Sequence, residues 1–307
     1  VKSVVEQVVA IRRAVLGRRP ELDIDSPAAR QALASAVDAA FADLEEERVL
    51  PERAVVLLWR ASNAIFEDVQ RLSVDVAPGD HEALAWAAEQ LVDLAPRYDP
   101  SLELMLDVAY EELLPAAEQA GLTPRMTYYH GPADRALEGL RQAGLPAASD
   151  LGDLRIGPMS TDHIDAANAI GQRVFTDEPQ FSFIPPRMHV TPDVQERLNA
   201  FFRNILEECV RKGTARVVLR GDEVVGYGNC LTRHDPVAGH IGGFGITLSP
   251  EIRNRGIGKL LYAQLLERLL DLGVREVRGR TANPVVASLA QRMGRTVRGW
   301  QLELLPR

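Results

Sequence analysis

Leu248-Ser249-Pro250-Glu251-Ile252-Arg253-Asn254-Arg255-Gly256-Ile257-Gly258-Lys259 is the stretch that decides the fold of this 307-residue chain. Before it, His240 to Leu248 reads as a strand. After it, Leu261, Leu265, Leu269 and Leu272 recur at helical spacing, and Gly273 closes the helix. A lone Gly-x-Gly is most often just a tight turn, so the position of this one carries the inference. At a helix N-terminus the unpaired N–H groups and the helix dipole favour an anion, and glycine lets the backbone approach a pyrophosphate without a Cβ in the way. Arg253, Arg255 and Lys259 add positive charge. The third glycine of a dinucleotide fingerprint and the Gly-Lys-Ser/Thr of a Walker loop are both missing.

Working outward, Leu154 to Ile156 reads as a short strand. Ile164, Ala167, Ile170 and Val174 predict an amphipathic helix over about 162–175. A Pro-rich loop, Pro179 to Pro186, follows. Thr191 is an N-cap with Pro192 at the first helical position, and Val194, Leu198, Phe201, Ile205 and Cys209 mark one face of a second helix that ends at Gly213. Ala215 to Arg220 and Glu223 to Leu231 form a hairpin through Gly221-Asp222. Beyond the leucine-rich helix come a strand over Val274 to Thr281, a helix over Val285 to Met293 and a last strand over Thr296 to Leu304. The expected order is β, α, α, β, β, β, α, β, α, β.

The Leu248–Ile252 run followed by Arg253-x-x-Gly256-x-Gly258, set in this order of elements over residues 151–307, resembles the acetyl-CoA motif of the GNAT N-acetyltransferase family. Asn283, in a strand-to-helix turn before Gly294, resembles that family's second CoA contact. The resemblance implies an α/β (α+β) fold with a mixed, mostly antiparallel sheet flanked by helices, and acetyl-CoA as co-substrate without a metal. It also implies direct attack of an amine on the thioester. The backbone of Ile246, Thr247 and Leu248 would hold pantetheine, with a Leu248 N–H aimed at the thioester oxygen. Arg253, Asn254, Arg255, Gly256, Ile257, Gly258 and Lys259 would cradle the pyrophosphate. Read from the residues alone, Gly242, Gly243 and Gly245 within one strand mark a bulge or a ligand pressed against the backbone.

Two positions depart from the family pattern. The tyrosine that often protonates the leaving thiolate is Ala290 here. A thiol pKa of about 8.5 lets a thiolate leave with little help, with water, Ser288, Tyr227 or Tyr262 as possible donors. The glutamate base of the central strand is Gly242. His240, two residues earlier on the same strand face, has the pKa range of a base, though a histidine at a loop edge is the plainer reading. His234-Asp235 is a weaker pair. Ala290 also keeps open a non-catalytic CoA-binding sensor or a structural protein.

Residues 1–145 carry helical periods at Val4 to Leu16 and Ala28 to Leu44, and one reading is a helical accessory domain. The other is a repeat. Arg53 to Trp59 and Arg71 to Val76 read as strands, Glu82 to Leu94 as a helix, and Leu102 to Val108 and Arg125 to Tyr129 as further strands. Pro78 to Gly121 spans 43 positions where Pro250 to Gly294 spans 44. The chain in this reading resembles tandem GNAT proteins, the class that includes mycothiol synthase, with a degenerate first domain over 1–145 and an acetyltransferase domain over 151–307. Gly79-Asp80-His81-Glu82 stands where the basic loop would be, and its carboxylates would repel a pyrophosphate.

With 46% apolar and 25% charged residues, the composition excludes collagen, coiled coil and a mostly disordered chain. No apolar run approaches the roughly 20 residues of a membrane span, and no secretory h-region is present, so a cytoplasmic location is expected. Two cysteines, Cys209 and Cys230, give no disulfide framework and no zinc site. The net charge of −8 divides into −11 (14 − 25) up to residue 145 and +3 (21 − 18) after it. That division disfavours nucleic acid as a partner, places an anionic ligand on the second part and suggests a cationic amine acceptor, a small molecule or a peptide.

Overall fold

A computed structural model describes residues 3–19, 22–61, 69–97, 103–178, 180 and 191–304. The expected Pro-rich loop therefore lies almost wholly outside the described residues, as does Leu102. Contacts divide the chain into two compact units. The first comprises Val1–Tyr128, Pro236–Ala238 and Val297–Arg307, and the second Tyr129–Asp235 and Gly239–Thr296. Residues 129–145, 236–238 and 297–307 thus sit on the other side of this division from the sequence-based one.

The second unit contains β6 (Leu154–Pro158), α6 (Ile164–Asp177), α7 (Pro192–Lys212), β7 (Ala215–Arg220), β8 (Glu223–Asp235), β9 (Gly239–Leu248), α8 (Ile257–Asp271), β10 (Glu276–Thr281) and α9 (Pro284–Arg292). Its strands run in the order β10-β9-β8-β7-β6, all antiparallel except β9 with β10. The local chemistry is that expected from the sequence. The Thr191 hydroxyl accepts from the Val194 N–H, and Gly213, at φ +67°, ends α7 in the left-handed conformation. Leu261, Leu265, Leu266 and Leu269 of α8 are fully buried, and truncating any one of them to alanine would cost about 2–5 kcal/mol. One helix escaped the sequence reading: α5 (Ala133–Gln142), whose Ala136, Leu137 and Leu140 pack with α8.

The first unit has α1 (Val4–Leu16), α2 (Pro27–Ala42), β1 (Leu44–Leu50), β2 (Ala54–Ala61), β3 (Val69–Val76), α3 (His81–Leu94), β4 (Glu103–Asp107), α4 (Leu114–Gln119) and most of β5 (Leu122–Pro132). The last strand of the chain, β11 (Thr296–Leu304), pairs antiparallel with β4, giving the order β1-β2-β3-β4-β11-β5. The helical period expected to run to Leu44 stops at Ala42, because Leu44 opens β1 and pairs with Trp59. From α1 to β5 the elements repeat the order α6 to β11. The fold is thus mixed α/β with mostly antiparallel strands, and a helical accessory domain is not what residues 1–145 form.

Candidate functional site

The site is built on a mismatch in strand pairing. β9 pairs with β8 along its whole length, from Asp235↔Gly239 to Gly226↔Leu248. Its parallel register with β10 covers only Ile241, Gly242 and Gly243, opposite Glu276, Val277 and Arg278. Beyond Gly243 the two strands part, and a wedge opens toward Leu248. Hydrogen-bond direction alternates along an antiparallel strand. The Ser249 N–H donates to the Val225 carbonyl at 3.0 Å, so odd-numbered residues of β9 turn their main-chain groups to β8. Even-numbered residues turn theirs the other way. His240 shows it by accepting from the Arg275 N–H at 3.1 Å, and Leu248 by accepting from the Arg253 Nε at 3.0 Å. The N–H groups of Phe244, Ile246 and Leu248 therefore face the wedge.

From the mouth of the wedge the chain passes through Ser249–Gly256 into α8. Gly256 is the N-cap at φ +77°, and α8 has no side-chain cap. A Cβ at Gly256 would stand 3.2 Å from Pro146 Cγ, whereas at Gly258 the nearest atom to such a Cβ is Leu248 Cδ1 at 3.9 Å. Gly258 is open to a ligand, and the bare helix N-terminus suits an anion. Asn254 also holds a positive φ, +62°, within this turn.

The cations of the loop are engaged by the protein. Arg253 Nη1 meets Glu178 Oε1 at 2.6 Å, Arg255 Nη2 donates to the Leu151 carbonyl at 2.8 Å, and Lys259 Nζ donates to the Ala143 carbonyl at 3.1 Å. They pin the loop, and the main-chain N–H groups are left to meet an anion. Asn283 is likewise occupied: its Oδ1 caps α9 by accepting from the Val285 N–H at 2.9 Å.

Two of the three strand glycines have a different use from the one expected, while a Cβ at Gly243 would meet nothing within 4 Å. The β8–β9 register continues past all of them, so there is no bulge there. A Cβ at Gly242 would lie 2.9 Å from Cys230 Sγ and 3.1 Å from Leu269 Cδ1, and one at Gly245 2.8 Å from Asn229 Oδ1. These glycines make room for packed side chains. No glutamate could occupy position 242, because its side chain would enter the core beneath α8.

His240 is not brought to the wedge. It is the second residue of β9, paired with His234, and Leu248 ends that strand. At about 3.3 Å per residue the two are roughly 26 Å apart, too far for proton transfer at Leu248. Asp235 is bound to Arg278 at 2.9 Å. Ser288 receives a hydrogen bond from Arg292, and Tyr227 packs with Ile164 and Ala167 on the α6 side. Tyr262 is on the α8 side, edge-on to Phe244 at 5.1 Å between ring centroids, and burial raises its pKa. Among the described residues no group of three or more His, Cys, Asp or Glu could hold a metal ion, and no helix is long and apolar enough to cross a membrane.

The first unit contains the same wedge, filled. β3 and β4 are in register only at Arg71↔Glu103 and Leu72↔Leu104, although β3 runs on to Val76. The Ala77 N–H donates to the Arg53 carbonyl, so Val76 corresponds to Leu248 and turns its main chain into the wedge. There the Tyr110 hydroxyl donates to the Val76 carbonyl and accepts from the Val76 N–H, each at 3.2 Å. Burial and the nearby Asp75 carboxylate push the Tyr110 hydroxyl well above its usual range. At the N-terminus of α3, Asp80 accepts from the Ala83 N–H at 3.0 Å while Arg53 grips it at 2.6 Å. Arg53 and the Ala83 N–H hold the Asp80 carboxyl down at about 2. A cavity of about 30 Å³ remains, lined by Val15, Arg18, Pro78, Gly79 and Tyr110 among others. No sequence signal marks Tyr110, because its role depends on where β4 ends.

Residues 177–294 match the acetyltransferase (GNAT) family. No curated protein sequence matches the chain. Among solved structures, the chain is similar to a GCN5-related N-acetyltransferase from Sphaerobacter thermophilus, with a TM-score of 0.54 and 15% identity over 98% of this chain and 92% of that one. It is also similar to a GCN5-related glucosamine N-acetyltransferase region in a fungal multi-domain GH3 β-N-acetylglucosaminidase, with a TM-score of 0.52 and 12% identity, covering 97% of this chain and 36% of that one. A tandem GNAT protein from the clavulanic acid biosynthesis pathway aligns with a TM-score of 0.45 and 15% identity, over 99% and 95% of the two chains. At these identities the first two likenesses establish the fold.

Proposed function

Residues 177–294 form a domain of the GNAT acetyltransferase family, and from that premise we propose that the chain is an acetyl-CoA-dependent N-acetyltransferase acting on an amine, with its site in the second unit. One observation carries the reading: the open β9–β10 wedge runs without interruption into the uncapped N-terminus of α8. Acetyl-CoA supplies an activated acyl group whose sulfur is a good leaving group.

The residues present fit such a molecule. The N–H groups at the start of α8 and the open face of Gly258 suit the pyrophosphate, and the even-numbered N–H groups of β9 suit the amides of the pantetheine arm. Leu248 is the expected donor to the thioester oxygen. A pantetheine arm laid along β9 from the α8 N-terminus would reach past Leu248 toward the closed end of the wedge. The N–H of Ile246, one wedge-facing step deeper, would then be the donor to the thioester oxygen. Fixed N–H donors and positioning would supply most of the acceleration. His240 takes no part in this reading, and the amine loses its proton to water. The acidic balance of residues 1–145 favours a cationic acceptor, a small amine or a lysine peptide.

The test is release of free CoA from acetyl-CoA on addition of small amines, polyamines, aminoglycosides and lysine peptides, beside neutral and acidic amino acids, at low and high salt. Faster release with cationic amines, weakened by salt, is expected. Tight CoA binding without turnover on any amine would establish a sensor instead.

A further inference from the structure

Arg295 is a cation inside the protein with no anion beside it. Its residue is 5% exposed. Nη2 donates to the Tyr129 main-chain oxygen at 3.0 Å, and Nε is buried without a partner. The ionisable groups that face it are Tyr262 of α8, Cys230 of β8 and Tyr129 of β5, and none of them is a carboxylate. No carboxylate is paired with it among the described residues, and burial accordingly pulls its pKa below the usual guanidinium value. A buried charge is costly unless something compensates it. Apolar packing therefore does not explain an arginine here.

Its position suggests what does. A Cβ at Gly279 would lie 2.9 Å from Arg295 Nη2 and 3.6 Å from Nη1. Gly279 is the first residue of β10 past the last pair with β9, Arg278↔Gly243. Continuing that register sets Gly279 across from Phe244, whose ring meets Tyr262. The guanidinium therefore sits at the closed end of the wedge, on the side where α8 packs. Ala290, where the family often has its tyrosine acid, is buried, and its carbonyl accepts from the Arg295 N–H at 3.0 Å.

We propose that Arg295 is the counter-charge for the thiolate of CoA as it leaves, filling the role vacated at Ala290. The inference rests on the acetyl-CoA reading above. In the transfer the neutral amine nitrogen forms a bond to the acyl carbon, and the C–S bond breaks with its electron pair passing to sulfur. The nitrogen gives its surplus proton to water. The sulfur departs as a thiolate beside the guanidinium, which keeps its own protons, and it takes a proton from solvent on release. Arginine suits this role because it stays charged even when buried.

The experiment is a titration of CoA bound to the intact chain, followed by the ultraviolet absorbance of the thiolate. The bound thiol should ionise at a pH at least one unit below that of free CoA titrated alongside. Arg295→Met should return the bound thiol to the free-CoA value, and Arg295→Lys should keep most of the shift. Desulfo-CoA, which lacks the sulfur, should bind wild type and Arg295→Met within twofold of each other. Turnover of acetyl-CoA should fall at least tenfold in Arg295→Met and less in Arg295→Lys. Replacing an unpaired buried charge by an apolar side chain should leave folding intact. If Arg295→Met does not fold, the wild-type titration alone decides. Bound CoA whose thiol ionises at its ordinary pH in the wild type would overturn the proposal and leave the acetyl-CoA reading standing. Failure of wild type to bind either CoA or desulfo-CoA would overturn both.

Discussion

The two wedges of this molecule differ in what fills them. In the second unit the strand that ends at Leu248 leaves its even-numbered N–H groups facing a gap, and the helix beyond begins at a bare glycine. In the first, Val76 occupies the same place, but the Tyr110 hydroxyl takes both of its main-chain groups and Asp80 supplies the anion that the helix N-terminus favours. A buried N–H or carbonyl must find a partner. The lesson is that a splayed strand pair is stable in two ways: closed by its own side chains, or kept open for a ligand with the same hydrogen-bonding pattern. The connecting segments follow suit. Residues 77–80 make a short turn into α3, while 249–256 make a longer one whose arginines and Lys259 are anchored to protein atoms.

The sharpest way to break the contrast is at Gly256. Glutamate there must adopt a left-handed backbone, press on Pro146 and place a carboxylate where the pyrophosphate belongs. Calorimetry should show CoA affinity falling by about 100-fold or more, since strain of 1–3 kcal/mol adds to charge repulsion. The corresponding damage to the first unit should cost stability and no binding. Tyr110→Ala removes a buried ring and should lower the unfolding free energy by about 3–5 kcal/mol. Tyr110→Phe, which orphans the two groups of Val76, should lower it by about 1–3 kcal/mol. Denaturant melts measure both, and acetyl-CoA turnover should stay at the wild-type level.

Much of this contrast was open to the sequence, and the reason is local chemistry. Thr191-Pro192, Gly221-Asp222 and the α8 leucines each determine their own surroundings, so α7, the β7–β8 hairpin and α8 were legible. The loop from Arg253 to Gly258 and the acidic Gly79-Asp80 that replaces it were legible as well. Tyr110 and Arg295 were not. Each depends on where one strand stops pairing with its neighbour, and a register is a property of two strands at once. The same limit hid the use of Gly242 and Gly245, which face Cys230, Leu269 and Asn229 across strand and helix contacts.

A smaller effect is expected at Asp80. Its carboxyl is held down at about 2 by Arg53 and the Ala83 N–H, so the folded value lies below the unfolded one of about 3.9. The stability it contributes is complete above the unfolded pKa and disappears as pH falls through the folded one. Asp80→Ala should lower stability at pH 7, as the loss of a helix cap does, and should flatten the stability profile between about pH 4 and pH 2. The smallest effect belongs to Lys259→Gln. Because its ammonium is bound to the Ala143 and Gly144 carbonyls, CoA affinity should fall by less than about tenfold, with a stability loss of about 1 kcal/mol.

One wedge is open and its counterpart is closed, so a single chain should bind a single molecule of CoA. Calorimetric titration of the intact chain should give one site, unchanged in Tyr110→Phe and lost in Gly256→Glu. Two equivalent sites would mean that the first wedge also takes CoA, and a single site that survives Gly256→Glu would mean that CoA binds away from the α8 N-terminus.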